Sequence, residues 1–122
     1  MTTWDHEDLE ALAAAAEIDI AVPNSDGTVG RATTIWIVRV GDDIYVRSYR
    51  GPNGSWYGSA RRAGHGTVRT DRLERAVTFD ADHDTKPTVI DAAYRAKYGR
   101  SSYIDAMVTP GAAATTLRLL PL

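Results

Sequence analysis

At 122 residues the chain is long enough for one domain with a modest core and too short for two, and its 43% hydrophobic and 25% charged residues exclude disordered and fibrous classes. The lack of cysteine excludes a disulfide framework, a thiol nucleophile and a Cys-ligated zinc. A net charge of −2 hides an asymmetry: between positions 31 and 72 eight arginines face three acids, a surplus of five that leaves −7 on the rest.

A basic segment of that size suits a small anionic partner better than nucleic acid, which meets a broadly basic surface. The alternative is a rim of solubilising arginines. The opening Met-Thr-Thr-Trp-Asp-His-Glu has no basic region followed by an apolar run, and no run of about 18 apolar residues occurs, so neither a secretory signal nor a membrane span is expected. The cytoplasm is the default location.

Asp5 or Thr3 is placed to cap a first helix, with Glu7 and Asp8 in the first turn, where negative charge suits the helix dipole. Leu9, Leu12, Ala13 and Ala16 form one apolar stripe, and the helix should stop near Glu17. The alternation of Ile18-Asp19-Ile20-Ala21-Val22 predicts a half-buried strand, closed by the turn formers Pro23-Asn24-Ser25-Asp26-Gly27. Residues 31–40 read as one long strand rich in β-branched side chains. Thr34, Trp36, Val38 and Val40 share one face, and Thr33, Ile35, Ile37 and Arg39 the other. Both faces are apolar in the middle, which predicts cover on both sides by a helix or a second subunit.

Gly41-Asp42-Asp43 predicts a hairpin turn into residues 44–50, with Tyr45, Arg47 and Tyr49 on one face and Ile44, Val46 and Ser48 on the other. Gly51-Pro52-Asn53-Gly54 breaks that strand, Ser55 is the expected cap of a helix through Arg62, and Gly64-His65-Gly66 ends it. Residues 67–70 and 74–80 predict another hairpin, bent near Thr70-Asp71-Arg72. Lys86-Pro87 opens a helix that carries Val89, Ile90, Ala93, Tyr94 and Tyr98 and ends at Gly99. Residues 102–108 predict a short helix and 115–120 a closing strand. The sum is an α+β domain over residues 1–122, an antiparallel barrel or curled sheet of about six strands with three or four helices.

Chemistry concentrates where the second hairpin strand meets the Ser55 helix. A helix start exposes unpaired amide groups, and the glycines before it let an anion approach them. Arg47 and Arg50 lie upstream, Arg61 and Arg62 downstream, and guanidinium groups match phosphate oxygens in two-pronged fashion. Trp56 and Tyr57 offer a flat wall for an aromatic ring. The competing reading has Trp56 and Tyr57 plugging the barrel mouth, and the arginines paired with Asp42, Asp43 or the acidic first helix.

The succession Arg-Ala-Thr-Thr-Ile-Trp-Ile-Val, Gly-Asp-Asp, Ile-Tyr-Val-Arg-Ser, Gly-Pro-Asn-Gly-Ser-Trp-Tyr and a basic helix resembles the flavin- or deazaflavin-binding split β-barrels, the pyridoxamine-phosphate-oxidase-like and deazaflavin-dependent nitroreductase-like group. With Ala93-Tyr94, Tyr98-Gly99 and the ending Thr115-Thr116-Leu117-Arg118-Leu119, nearly the whole chain is similar to a small bacterial family of unknown function related to that fold. The resemblance implies a homodimer holding FMN or a deazaflavin coenzyme in a groove between subunits. By position it implies Arg47 and Ser48 at the cofactor phosphate and Trp56-Tyr57 beside the cofactor. Those nitroreductases place a Pro in the first loop and Asn-Leu after the Trp-Tyr pair, where this chain has Gly58-Ser59.

Other constellations are weaker. Asp80, Asp82 and Asp84 are spaced like a calcium loop, but Thr85 stands where glycine is needed and the shorter Asp91 where a bidentate acid is needed. His6, His65 and His83 have no ligand spacing; His65 alone, between glycines, is placed to move protons near the groove. Neither a Gly-Lys-Ser/Thr phosphate loop nor a Gly-x-Ser-x-Gly elbow occurs. Trp36, Tyr94 and Tyr98 are expected in the core or at a dimer interface. The leading expectation is a flavin- or deazaflavin-binding redox protein, with Arg47, Ser48, Ser55 and Arg61 gripping phosphate and Trp56 and Tyr57 bordering the ring. The competing one is a non-catalytic module for a small anionic metabolite, or a barrel with a degenerate groove.

Overall fold

The computed structural model describes residues 3–122. Helix α1 (His6–Ala14) carries Glu7 and Asp8 in its first turn and buries Leu9 and Leu12; Asp5 stands at its cap position without a capping hydrogen bond. Seven strands follow: β1 (Ile18–Ala21), β2 (Thr33–Ile35), β3 (Val38–Val40), β4 (Asp43–Val46), β5 (His65–Arg69), β6 (Glu74–Asp80) and β7 (Leu117–Pro121). They form one antiparallel sheet in the order β2-β1-β5-β6-β7-β4-β3.

The edge strands β2 and β3 are consecutive in the chain with only Trp36 and Ile37 between them. Two residues span about 7 Å at most, so the sheet must curl until its edges come together. The single strand expected over residues 31–40 is corrected accordingly. Its first part pairs with β1, it breaks at Trp36 and Ile37, and its second part pairs with β4. This bend accounts for the seventh strand beyond the six expected.

The curl produces two cores. Inside it, Leu9 and Leu12 of α1 meet Ile20, Ile37, Ile44, Val46, Val68, Val77 and Leu119. Outside it, Val38 and Tyr45 pack under helix α3 (Pro87–Tyr98) and helix α4 (Ile104–Met107), against Ile90, Tyr94, Ile104 and Met107. The two apolar faces expected at residues 31–40 therefore both find cover: Ile35 and Ile37 pack inward, Trp36, Val38 and Val40 outward. Helix α2 (Ser55–Ala63) ends where Gly64 takes φ +78°, a left-handed conformation natural to glycine. A fifth helix, α5 (Pro110–Ala113), lies beyond the three or four expected; Thr109 Oγ1 caps it by accepting from the Ala112 amide at 3.1 Å. Thr-Pro at its start was the readable signal. Among the described residues no helix is long and apolar enough to cross a membrane.

Burial at the outer core shifts a lysine and two tyrosines in opposite senses. Burial pushes the Lys97 ammonium down to about 8 and the Tyr98 hydroxyl up to about 12, and raises Tyr94 as well. Between pH 8 and the ordinary lysine range, the unfolded chain keeps a proton that native Lys97 has lost, so stability rises with pH. Above pH 10 native Tyr98 keeps a proton that the unfolded chain has lost, so stability then falls. Thermal melts against pH should show a maximum near pH 10, and Lys97→Met should remove the rising limb; a rise of unchanged size in that variant would refute the assignment.

Candidate functional site

A cavity of about 380 Å3 opens at the rim of the curl. The end of β2 with Trp36 forms one wall, and the segment after β4, from Arg47 to Arg50, another. Gly54, Ser55 and Trp56 supply the start of α2, while Tyr103 and Met107 come from the α4 region. This is the junction the sequence pointed to. The wall contributed by Thr33, Thr34, Ile35 and Trp36 and the side contributed by Tyr103 and Met107 were not anticipated, because both are brought there by tertiary packing of segments distant in the chain.

At the start of α2 the expected capping residue is displaced by one. Gly54 holds the cap position and Ser55 is the first helical residue, so no side chain caps the helix. The amides of Ser55, Trp56 and Tyr57 precede the first possible intrahelical acceptor, which leaves a positive dipole end with bare donors. Gly54 also allows a close approach: a Cβ at that position would lie 2.3 Å from Ser48 Oγ. Ser48 is buried, its amide donates to Thr115 Oγ1 at 2.8 Å, and its own hydroxyl has no hydrogen-bond partner among the described residues. A buried hydroxyl beside an uncapped helix start, both lining a cavity, is an arrangement suited to an oxyanion.

Arg47 has a different place from the one expected. Its side chain is fully buried, paired with Asp91 through Nη1, and it donates to Thr116 Oγ1 at 2.9 Å, the Met107 carbonyl at 3.0 Å and the Pro87 carbonyl at 3.2 Å. Its guanidinium carbon lies 5.4 Å from the centre of the Tyr94 ring. With four of its five N–H donors taken inside the protein, Arg47 borders the cavity as a strut between segments. Arg61 lies six residues along α2 from Ser55, about 9 Å of helix, is exposed, reaches the Tyr57 hydroxyl at 3.5 Å and is not among the residues lining the cavity. Tyr57 packs on the inner core edge-on to Trp56 and does not line the cavity.

The arginine cluster disperses over the surface. Arg39 pairs with Asp42, Arg62 donates to the Pro23 carbonyl at 2.6 Å, and Arg69 pairs with Asp19. Arg50 is the remaining guanidinium at the cavity; it is exposed and carries no ion pair among the described residues. His65 begins β5 opposite Thr78, away from the cavity. Asp80 is held by Arg118 at 2.6 Å and accepts from the Asp82 amide, a structural turn.

Fold and site together define a small α+β protein whose curled antiparallel sheet carries an oxyanion-suited helix start at its rim. The chain belongs to the family DUF2255, described as an uncharacterized protein conserved in bacteria, whose model matches residues 8–119. No curated protein matches the sequence. Among solved structures it is similar to the conserved hypothetical protein Rv2991 from Mycobacterium tuberculosis, at 12% identity and a TM-score of 0.61, covering 99% of this chain and 81% of that one. It is also similar to a "putative 5-nitroimidazole antibiotic resistance protein" from Bacteroides thetaiotaomicron, at 13% identity and a TM-score of 0.55 with the same coverage. A third match is an F420 reductase, at 16% identity and a TM-score of 0.49, covering 97% of this chain and 92% of that one. The first two share the fold.

Proposed function

We propose that this protein is a split β-barrel that holds FMN or a deazaflavin coenzyme, with the ring in the cavity between the indoles of Trp36 and Trp56 and a phosphate at the start of α2. The observation that carries the reading is the orphaned Ser48 hydroxyl beside the uncapped helix. Ser48 Oγ and the amides of Ser55 and Trp56 would hold the phosphate, and Arg50 would add charge from the open side. Trp56 borders the ring, Tyr57 supports it from the core, and Arg61 anchors Tyr57. The fold shared with the Bacteroides protein supports a place in the nitroreductase-like group. When bound, such a cofactor supplies hydride transfer, and the chain's part is to orient it and keep water from one side. In this reading a second copy closes the open side, where Tyr49 and Tyr103 stand 51% and 59% exposed with ring centres 5.8 Å apart.

A second reading is a binding module for a smaller anionic metabolite. Two observations favour it: the cavity is near the lower end of the roughly 300–1,000 Å3 of ordinary ligand sites, and one unpaired guanidinium borders it.

Ser48→Ala separates site from scaffold. Removing an unpaired buried hydroxyl should stabilise the free protein by about 1 kcal/mol, while the affinity for FMN or the deazaflavin falls at least about tenfold. Thermal shift and titration against FMN, a deazaflavin coenzyme and inorganic phosphate read both. A ligand at about 100 times its Kd stabilises the native state by about 2.7 kcal/mol. Response to phosphate with none to either cofactor would select the second reading, and no response to any of the three would sink both.

A further inference from the structure

The bend between β2 and β3 is held by the last turn of α3. Ile37 is buried and lies outside the register of both strands. Its amide donates to the Tyr98 hydroxyl at 3.2 Å, and its carbonyl accepts from Lys97 Nζ at 2.8 Å. The Tyr98 hydroxyl can give its own proton to the Ala16 carbonyl at 2.7 Å or to the Ile37 carbonyl at 3.1 Å. Buried backbone groups need partners, and here side chains supply what a strand neighbour supplies elsewhere in the sheet. Next to the bend, the Trp36 indole lies flat on the Tyr98 ring, with centres 4.1 Å apart and planes within 2°. Trp36 also lines the cavity.

We infer that Lys97 and Tyr98 are positioning residues: by taking the Ile37 backbone out of both strands, they set the bend that fixes Trp36 as a wall of the cavity. Neither side chain lines that cavity. The Lys97 ammonium sits 5.2 Å from the centre of the Tyr98 ring, so the two act as one latch. The inference deepens the cofactor reading, since Trp36 is one side of the proposed ring site, but it concerns the protein without ligand and is tested there.

The chain has three tryptophans, whose indole N–H groups give separate nitrogen–proton cross-peaks. Tyr98→Phe keeps the stacked ring and removes the hydroxyl. The cross-peak of Trp36, assigned by its loss in Trp36→Phe, should shift or broaden, while that of Trp4 stays in place. Lys97→Met should do the same and Lys97→Arg should restore the peak. Tyr45→Phe, which removes a hydroxyl bonded to Thr85 in the same outer core, should leave it unmoved. FMN affinity in Tyr98→Phe should fall about fivefold or more. If Tyr98→Phe does not fold, Lys97→Met carries the same readout. A Trp36 peak unchanged in the folded variants overturns the inference. Failure of the wild-type protein to bind FMN removes the cofactor reading and leaves the indole result to decide this one.

Discussion

Arg47→Ala is expected to lower folding stability by at least about 3 kcal/mol, within the range for removing one partner of a buried ion pair. The guanidinium joins four segments: the chain leaving β4, the first two turns of α3 through Pro87 and Asp91, the end of α4 through Met107, and the approach to β7 through Thr116. Truncation leaves a carboxylate, two carbonyls and a hydroxyl without their donor. Asp91 keeps 29% of its side chain exposed, so water can reach it in part, and this sets the value at the lower end of the range. Arg47→Lys should recover little, because an ammonium cannot reproduce the planar fork that reaches all four acceptors. The double change Arg47→Met with Asp91→Leu should recover much of the loss, since apolar replacement of both partners avoids the stranded charge. Urea denaturation at unchanged slope measures each step. A loss under about 1 kcal/mol together with a tenfold drop in ligand affinity would return Arg47 to the phosphate-binding role.

Arg47 also shows where local sequence reasoning stops. Alternation in the second hairpin strand put Tyr45 and Arg47 on one face, and the structure keeps them there, both buried on the outer side of the sheet under α3. The two apolar faces of residues 31–40 had already indicated that this side would be covered. What alternation cannot supply is the position of Asp91, 44 residues away, which turns an apparent ligand contact into an internal tie. The hairpins, the glycine-broken junction before α2 and the Pro87 helix start were legible because their signals are local: turn residues, period and caps. The bend at Trp36 and Ile37 was not. Its cause lies in Lys97 and Tyr98, about 60 residues on, and the intrinsic preference of the residues 31–40 is to continue as one strand. The cavity inherits that blindness, since its β2 wall exists only because the sheet curls there. Ser48 was singled out by resemblance, whereas the signal that makes it central to the proposed site, a hydroxyl left without a partner among the described residues, can be seen only once the chain is folded.

Trp4→Ala should be comparably costly, about 3–5 kcal/mol. Trp4 precedes the first helix, outside the apolar stripe the sequence predicts, yet it is buried with the inner core and its indole N–H donates to the Leu119 carbonyl at 2.9 Å, across 115 residues of chain. Leu119 lies in β7, whose neighbours are β6 and β4, so this one side chain ties the approach to α1 into the middle of the sheet. Loss of the ring removes both the packing and the donor. Trp4→Phe separates the two: it keeps much of the apolar surface but strands the carbonyl, and should cost about 1–3 kcal/mol. Because domains of this size are stable by only about 5–15 kcal/mol, the alanine variant should also lose amide-exchange protection in α1 and β7 before the β5–β6 hairpin, whose ladder does not pass through Trp4. Equal loss of protection in all three elements would mean that Trp4 supports the whole domain evenly, and a stability change below about 1 kcal/mol would mean that α1 covers the inner core without it.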